Sequence, residues 1–517
     1  MSAPPPRFEL DAAVRRRDHG QLLVGGTPPR LVRLSEAGAA ALAAILAGDD
    51  DPTPRPGGRP LARPSVRGRP LARPTGQRTT ALRGAEVRTT AVAALRRRLE
   101  RDGLLHPLPG DGADGPEVTT VVPVLDGGAQ LADLVRTLAA EGPVIVVDDG
   151  SGDGSPALAA AAGARVIANA GLPGPAGARN TGLRAATTEL VAFVDADCTV
   201  APGWRRGLAG LLADDPDLAL VGPRVRSLPG HGALARYERR TSPLDLGPHA
   251  SLVGPRRRVA YLPAAALLAR RTALLELGGF DESMRFGEDV DLTWRLLDAG
   301  HRVRYVPARE VLHRPRPTLP ALLAQRAGYG ASAPDLAARH GDAVAPLRVG
   351  PHSAAVWTVA ALRPRLAPAA LAASLALVAW RRGRGAPGAP RELARLTLQG
   401  HLDATGHLSR ALLREWLPAS LALALTSRRA RPALAIALAV EASRGAPALR
   451  LLDHAGYAAG LWREAARRRD PTALLPALEG LGRIVAVRRT SSSPVRGYSS
   501  AGRAPGSQSG GRRFDPA

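Results

Sequence analysis

The sequence predicts an α/β protein: a Rossmann-like mixed sheet at its centre, a small helical domain before it and a helical region after it. Three observations support this. From Glu117 onward, short Val-, Ile- and Leu-rich runs alternate with amphipathic stretches, as a doubly wound sheet requires. Before residue 107, two amphipathic helical stretches flank a segment too rich in Pro and Arg to build a core. Beyond residue 331 the chain is dominated by Ala, Leu and Arg. Its 517 residues leave room for about two to four such units.

Taken in order, residues 1–28 read as an N-terminal segment. Its start, "MSAPPPRFEL", has no apolar signal-peptide core. Cys198 is the sole cysteine, so no intrachain disulfide is available, and the chain is expected in the cytoplasm. A small domain is expected over 29–107. In it "PRLVRLSEAGAAALAAILAG" (29–48) reads as a short strand, a Ser35 cap and a helix, and 86–107 as a second helix closing on a Gly turn. Between them GRPLARP occurs at 58–64 and again at 68–74, within a disordered insertion expected near 49–85.

Strands are expected at 118–125, 143–150, 164–170, 190–197 and 218–225, with a helix at 130–141 among the connections, in one domain over 117–317. A helical region follows at 331–485, then a disordered tail over 488–517. Two apolar stretches stand out in the helical region. Residues 366–380 are too few to span a bilayer, and 416–440 are interrupted by Arg428, Arg429 and Arg431. Buried helices, or helices in peripheral contact with a membrane surface, are the two readings. The net charge of +24 raises nucleic-acid binding, but aromatics make up 3% of the chain and no stacking platform or recognisable module is present, which argues against it. All of the non-histidine basic charge is arginine.

Chemistry is expected at the carboxyl ends of the strands. "DDGS" (148–151) ends the second strand; its carboxylates suit an imide N–H or ribose hydroxyls, and it also suits an ordinary turn. "GLPGPAGARNTGL" (171–183) brings Arg179 and Asn180 to an apparent helix start, suited to a diphosphate or to a plain capped helix. "DAD" (195–197) puts two carboxylates on one face of a strand end, where a divalent cation, or a simple turn, would account for them. "GGFDESMRFGED" (278–289) supplies an ordered acidic set at the start of an amphipathic helix, of which helix-dipole pairing explains only one or two members. His313 follows a short strand.

In this order PV (123–124), DDGS, GxxxARN, DAD, GGFDE and GED resemble family 2 glycosyltransferases of GT-A fold, over about 117–317. The resemblance implies a nucleotide-sugar site with Pro123, Asp148, Asp149, Ser151, Arg179, Asn180 and Asp195 on a UDP-sugar donor. It implies Mn²⁺ or Mg²⁺ at Asp197 and Asp195 with His313, Asp289 as general base and Glu288 beside it on the acceptor side. An inverting transfer follows, giving a β-glycoside from an α-linked donor. Two departures are Asp126, where Asn is usual, and the absence of Q-x-x-R-W, which argues against a processive, channel-forming relative. The flanks resemble the glycosyltransferase family of the mycofactocin system of actinobacteria, with a PqqD-like N-terminal domain. That likeness implies hexose transfer, glucose first, to a small-molecule or peptide-derived redox-cofactor acceptor. Transfer of rhamnose or galactose to a cell-wall or lipid-linked glycan fits the same motifs. The Arg-rich segment between Arg224 and Val259 is the expected acceptor loop.

Overall fold

A computed structural model describes residues 8–26, 30–48, 90–110, 115–382 and 389–478. The expected insertion at 49–85 and the tail at 488–517 lie outside the described residues. The N-terminal unit begins earlier than expected and is not mainly helical. Strands β1 (Phe8–Leu10), β2 (Arg15–Arg17), β3 (Leu22–Gly25) and β4 (Arg30–Arg33) precede helix α1 (Glu36–Ala47), which is followed by helix α2 (90–101) and β5 (Leu105–Pro107). Ser35 caps α1 by accepting from Gly38 N–H at 3.1 Å. The boundary expected at residue 28 falls inside this unit, because β1 pairs antiparallel with β5 and Phe8, Val14 and Leu23 share one core with Leu42, Leu99 and Leu105. In the β2–β3–β4 meander only β4 was read from the sequence, because strands of three and four residues are too short to show a clear period of two.

The central sheet is built from β6 (Val118–Val124), α3 (Gln130–Ala139), β7 (Val144–Asp148), α4 (Ser155–Ala161), β8 (Arg165–Ala168), α5 (Pro175–Ala185) and β9 (Leu190–Val194). It continues through β10 (Cys198–Val200), α6 (Leu208–Asp214), β11 (Leu218–Ser227), α7 (Gly232–Thr241), β12 (Ser251–Leu252), β13 (Ala266–Arg270), α8 (Arg271–Glu276), α9 (Glu288–Asp298) and β14 (Arg302–His313). The strand order is β10-β14-β11-β13-β9-β6-β7-β8, with β12 also on β14. Strands β9, β6, β7 and β8 run parallel, while β13 lies antiparallel between β9 and β11. Strands buried on both faces read as continuous Val/Ile/Leu runs, which is why β6, β7 and β9 are plain in the sequence. Two apolar cores form, one containing Val122, Leu134 and Trp204 and the other containing Val121, Phe193 and Tyr305; alternation of Val121 and Val122 puts them on opposite faces.

The C-terminal region comprises α10 (Leu319–His340), a short strand β15 (Arg348–Val349), α11 (Pro351–Leu362), α12 (Ala367–Arg382), α13 (Ala389–Leu413), α14 (Leu417–Thr426), α15 (Arg431–Ala442), α16 (Pro447–Arg468) and β16 (Ala477–Leu478). Among the described residues no helix is long and apolar enough to cross a membrane. Helices α10 and α16 cross closely because both present glycine: a Cβ on Gly330 would stand 2.0 Å from Tyr457 O, and one on Gly460 would stand 1.9 Å from Ala327 O. Buried Arg326 locks the pair, donating from Nη2 to Glu238 Oε1 at 2.7 Å and from Nε to Asp453 Oδ2 at 2.9 Å.

Candidate active site

The carboxyl ends of β6, β7 and β9, the start of α9 and the end of β14 open into one cavity of about 1160 Å³. A pocket for one drug-sized ligand holds roughly 300–1,000 Å³, so this one lies just above that range. Of the residues singled out in the sequence, Pro123, Asp149, Arg179, Asp195, Asp197, Glu288, Asp289 and His313 line it.

Asp148, Ser151 and Asn180 do not line it. Asp148 Oδ1 accepts from Ser151 N–H at 3.1 Å, and Ser151 Oγ accepts from Asp126 N–H at 3.0 Å, so both shape the turn. Asp126 Oδ1 accepts from Gly152 N–H at 2.8 Å and sits at φ 54°, a left-handed conformation that Asp tolerates as Asn does. Asn180 is buried within α5, a full turn past its start. Its Nδ2 donates to Phe280 O at 2.8 Å and Glu282 Oε1 at 2.9 Å, and its Oδ1 accepts from Phe280 N–H at 2.8 Å. It is a clamp on the GGFDE loop. Gly279 completes that clamp, with φ 76° and Asn180 Oδ1 only 2.2 Å from where a Cβ would lie.

At the β7 end of the cavity Asp149 Oδ1 accepts from Asn169 Nδ2 at 2.6 Å and Oδ2 accepts from Gly174 N–H, before α5, at 2.8 Å. These bonds orient the carboxylate and leave each oxygen a second lone pair.

The DAD triplet lies in the turn between β9 and β10, not on a strand. The face-sharing expected of i and i+2 in a strand therefore does not apply, and the two carboxylates face different cations. Asp195 Oδ1 accepts from Arg179 Nη2 at 2.7 Å, and the Nη1 of Arg179 donates to Glu288 Oε1 at 2.8 Å. Asp197 faces His313, the last residue of β14, which stands opposite Cys198 in the β10–β14 register. Its Oδ1 is 3.2 Å from His313 Nε2 but out of line with it, so this buried oxygen has no hydrogen-bond donor; Arg316 Nη2 is 3.8 Å from Oδ2. Burial pushes the Asp197 carboxyl up, but the His313 imidazole and Arg316 outweigh it and hold it below the usual carboxylate range. Burial pulls the other way on His313, and Asp197 raises it overall.

Asp289 is half-buried, its Oδ2 accepting from Ala264 N–H at 3.1 Å and its Oδ1 from Val290 N–H at 2.8 Å. Burial raises its pKa against those bonds and Arg179. Burial, then the neighbouring Asp289, pushes Glu288 up to about 7 despite the Arg179 contact. Two adjacent carboxylates, both pushed up by burial, thus share one proton-exchanging corner of the cavity, which suits a base active near neutral pH.

The sequence reading missed the far wall. Helix α10 supplies Ala321, Gln325 and Tyr329, and Phe286 lies edge-on to Tyr329 with ring centroids 5.8 Å apart. Their signal was rarity, since Phe and Tyr number only 11 in the chain, but nothing local marks them as site residues. The segment 224–259, expected as the acceptor loop, contributes only Leu244 to the lining. Elsewhere it packs on β14 and meets the N-terminal unit through Arg258 Nη2 and Asp11 Oδ1 at 3.0 Å.

A family model described as glycosyl transferase family 2 matches residues 119–269. The pre-mycofactocin glycosyltransferase of Mycobacterium tuberculosis is 34% identical over 494 residues, covering 90% of this chain and 97% of the relative. The N-acetylglucosaminyl-diphospho-decaprenol L-rhamnosyltransferase of the same species is 38% identical over 128 residues, 23% of this chain and 41% of the relative. Among solved structures, a mannosyltransferase from Pyrobaculum calidifontis in complex with GDP-Man and Mn²⁺ aligns at a TM-score of 0.37 and 19% identity, covering 69% of this chain and 90% of that one. With a relative matched along nearly its whole length and the family's own segment laid over the strands that build the cavity, the chain belongs to the family 2 glycosyltransferases of GT-A fold and resembles the mycofactocin-system member among them.

Proposed function

We propose that this chain is a metal-assisted, inverting hexosyltransferase of the cytoplasm that moves a hexose, glucose first, from UDP to a hydroxyl of a peptide-derived redox cofactor. The observation that carries the acceptor is the reach of the similarity: it spans 90% of the chain and so extends into the N-terminal unit and over the α10 wall, outside the residues 119–269 that the family model matches. The 128-residue match to a rhamnosyltransferase is confined to 23% of the chain and does not choose an acceptor.

The residues present fit a divalent cation. Asp197 Oδ1 is a buried oxygen with no donor, and Asp195 and His313 stand nearby on the same rim. Among the described residues no three His, Cys, Asp or Glu side chains are grouped to hold a metal by themselves. That suits Mn²⁺ or Mg²⁺, which are commonly held by one or two carboxylates together with substrate phosphates. When bound, the cation supplies positive charge against the departing diphosphate.

The protein's own groups do the rest. Asp149 receives the base, its orientation fixed by Asn169 and Gly174. Arg179 holds Asp195 and Glu288 apart from the donor's charge and keeps both in place. Asp289 takes the acceptor proton as the hydroxyl attacks the anomeric carbon from the face opposite UDP, so the C–O bond to UDP breaks as the new one forms with inversion. The test is direct: purified chain, UDP-glucose, Mn²⁺ and the aglycone cofactor should yield products heavier by whole hexose units and cleavable by a β-glucosidase. Transfer only to a lipid-linked or cell-wall glycan would reject the acceptor.

A further inference from the structure

Helices α14 and α15 are built inside out. In α14 the one buried residue is Ser420, while Leu421, Leu423 and Leu425 are 47%, 57% and 80% exposed. In α15 the buried residues are Ala437 and Glu441, while Ile436 and Leu438 face out. The same inversion holds in the neighbours. Buried His401 of α13 contacts Ser353 Oγ through Nδ1 and Ser374 Oγ through Nε2, both at 3.1 Å, while Leu398 and Leu402 of that helix are exposed. Among the described residues 351–450, the only apolar side chains larger than Ala that are buried are Val356 and Leu413. A helix in water turns its apolar stripe inward, so this arrangement marks a surface meant for a medium other than water.

We infer that the α14–α15 hairpin inserts its leucine face into one leaflet of an anionic membrane, with Arg428, Arg429 and Arg431 at its turn lying against the lipid phosphates. Three observations choose this occupant. Charge is the first: residues 351–450 carry fourteen arginines against four acidic residues, and all three turn arginines are exposed. Length is the second. Helices of 10 and 12 residues rise about 15 and 18 Å at roughly 1.5 Å per residue, too short to cross a hydrocarbon core of about 30 Å, so the hairpin lies along one leaflet with its turn arginines at headgroup level. The third is that apolar side chains project from successive positions of α14 on more than one face, as 421, 423 and 425 do, which suits immersion better than docking on one flat protein partner.

The reading is independent of the sugar and of the acceptor, and the test does not use activity. Full-length protein is sedimented with phosphatidylcholine vesicles, with or without phosphatidylglycerol, at low and high salt. The wild type should pellet with the phosphatidylglycerol vesicles and be partly released by salt. Leu423→Asn/Leu425→Asn/Ile436→Asn should weaken binding at least about tenfold on either lipid, with an unchanged circular-dichroism spectrum, because these side chains support no core. Arg428→Gln/Arg429→Gln/Arg431→Gln should weaken binding only on the anionic vesicles, about fivefold per arginine removed. Wild-type protein that stays in the supernatant with phosphatidylglycerol vesicles overturns the inference. So does a wild-type dimer in light scattering that the leucine variant converts to monomer without any change in vesicle binding, which assigns the face to a second copy. An arginine variant that pellets as well as wild type overturns the charge argument with it.

Discussion

Replacing Arg179 with Met should destabilise the protein in a manner that grows with pH, but only above neutrality. Met keeps most of the side-chain volume beside the Phe280 ring, which the guanidinium overlies at 5.4 Å, so what is removed is charge and two hydrogen bonds. Losing the Asp195 bond removes about 1 kcal/mol, since that carboxylate keeps some solvent, and the contact to a protonated Glu288 removes about 1 more. Below pH 7 Glu288 holds its proton in both proteins, because burial has already raised it to about 7 in the wild type, and the difference should stay flat near 2 kcal/mol. Above that point the wild type releases the proton and levels off. The variant, with the arginine's attraction gone, has a still higher folded-state pKa and goes on losing stability as pH rises toward it. The gap therefore widens by about 1.4 kcal/mol per pH unit. Urea unfolding of both proteins at pH 6, 7 and 8 measures it, and comparing Arg179→Met with wild type in a Glu288→Gln background should shrink the widening to what Asp289 contributes. A gap that is flat from pH 6 to 8, or that narrows, refutes the placement of Arg179 as the counter-charge of Glu288.

Asp289→Asn should leave UDP affinity by calorimetry near the wild-type value while turnover, followed as UDP release, falls by about 10²–10⁴-fold. Asp197→Ala should abolish the Mn²⁺-dependent part of UDP binding in the same calorimeter, and should lower the thermal midpoint only by the few degrees that loss of its ion pairs with His313 and Arg316 brings. Asn180→Ala should do the reverse: three bonds to the GGFDE loop go, stability falls by about 2–3 kcal/mol in urea, and UDP affinity per folded molecule is retained.

The sheet strands were legible because burial on both faces writes long apolar runs, and the DDGS and DAD clusters because each closes such a run. Asp149, Asp195 and Asp197 could be placed at strand ends on that ground, whereas Asp289, at the start of a helix, joined them only through the family resemblance. What that logic could not supply is direction. Asn180 follows Arg179 in the sequence, yet α5 turns one toward the cavity and the other onto Phe280, and only the helix phase relative to the GGFDE loop decides it. DAD looked like a strand continuation, but β9 stops at Val194 and hands over to a turn. The N-terminal unit was misjudged because three-residue strands leave too little periodicity to read. The α10 wall was invisible for another reason: its partner α16 lies more than a hundred residues later, and no local pattern announces that contact.

That last separation sets the order in which the enzyme can become complete. Arg326 finds Asp453 across 127 positions of chain, and the glycine crossing needs Tyr457 and Gly460 in place. The sheet from Val118 to His313 has its own cores and can form as soon as it is synthesised, carrying Asp149, Asp195, Asp197 and Asp289. Helix α10, and with it Tyr329, acquires its anchor only when α16 has been made. During synthesis the protein therefore passes through a stage with these carboxylates assembled and the far wall of the cavity unanchored. A chain cut short anywhere before residue 447 would be held at that stage.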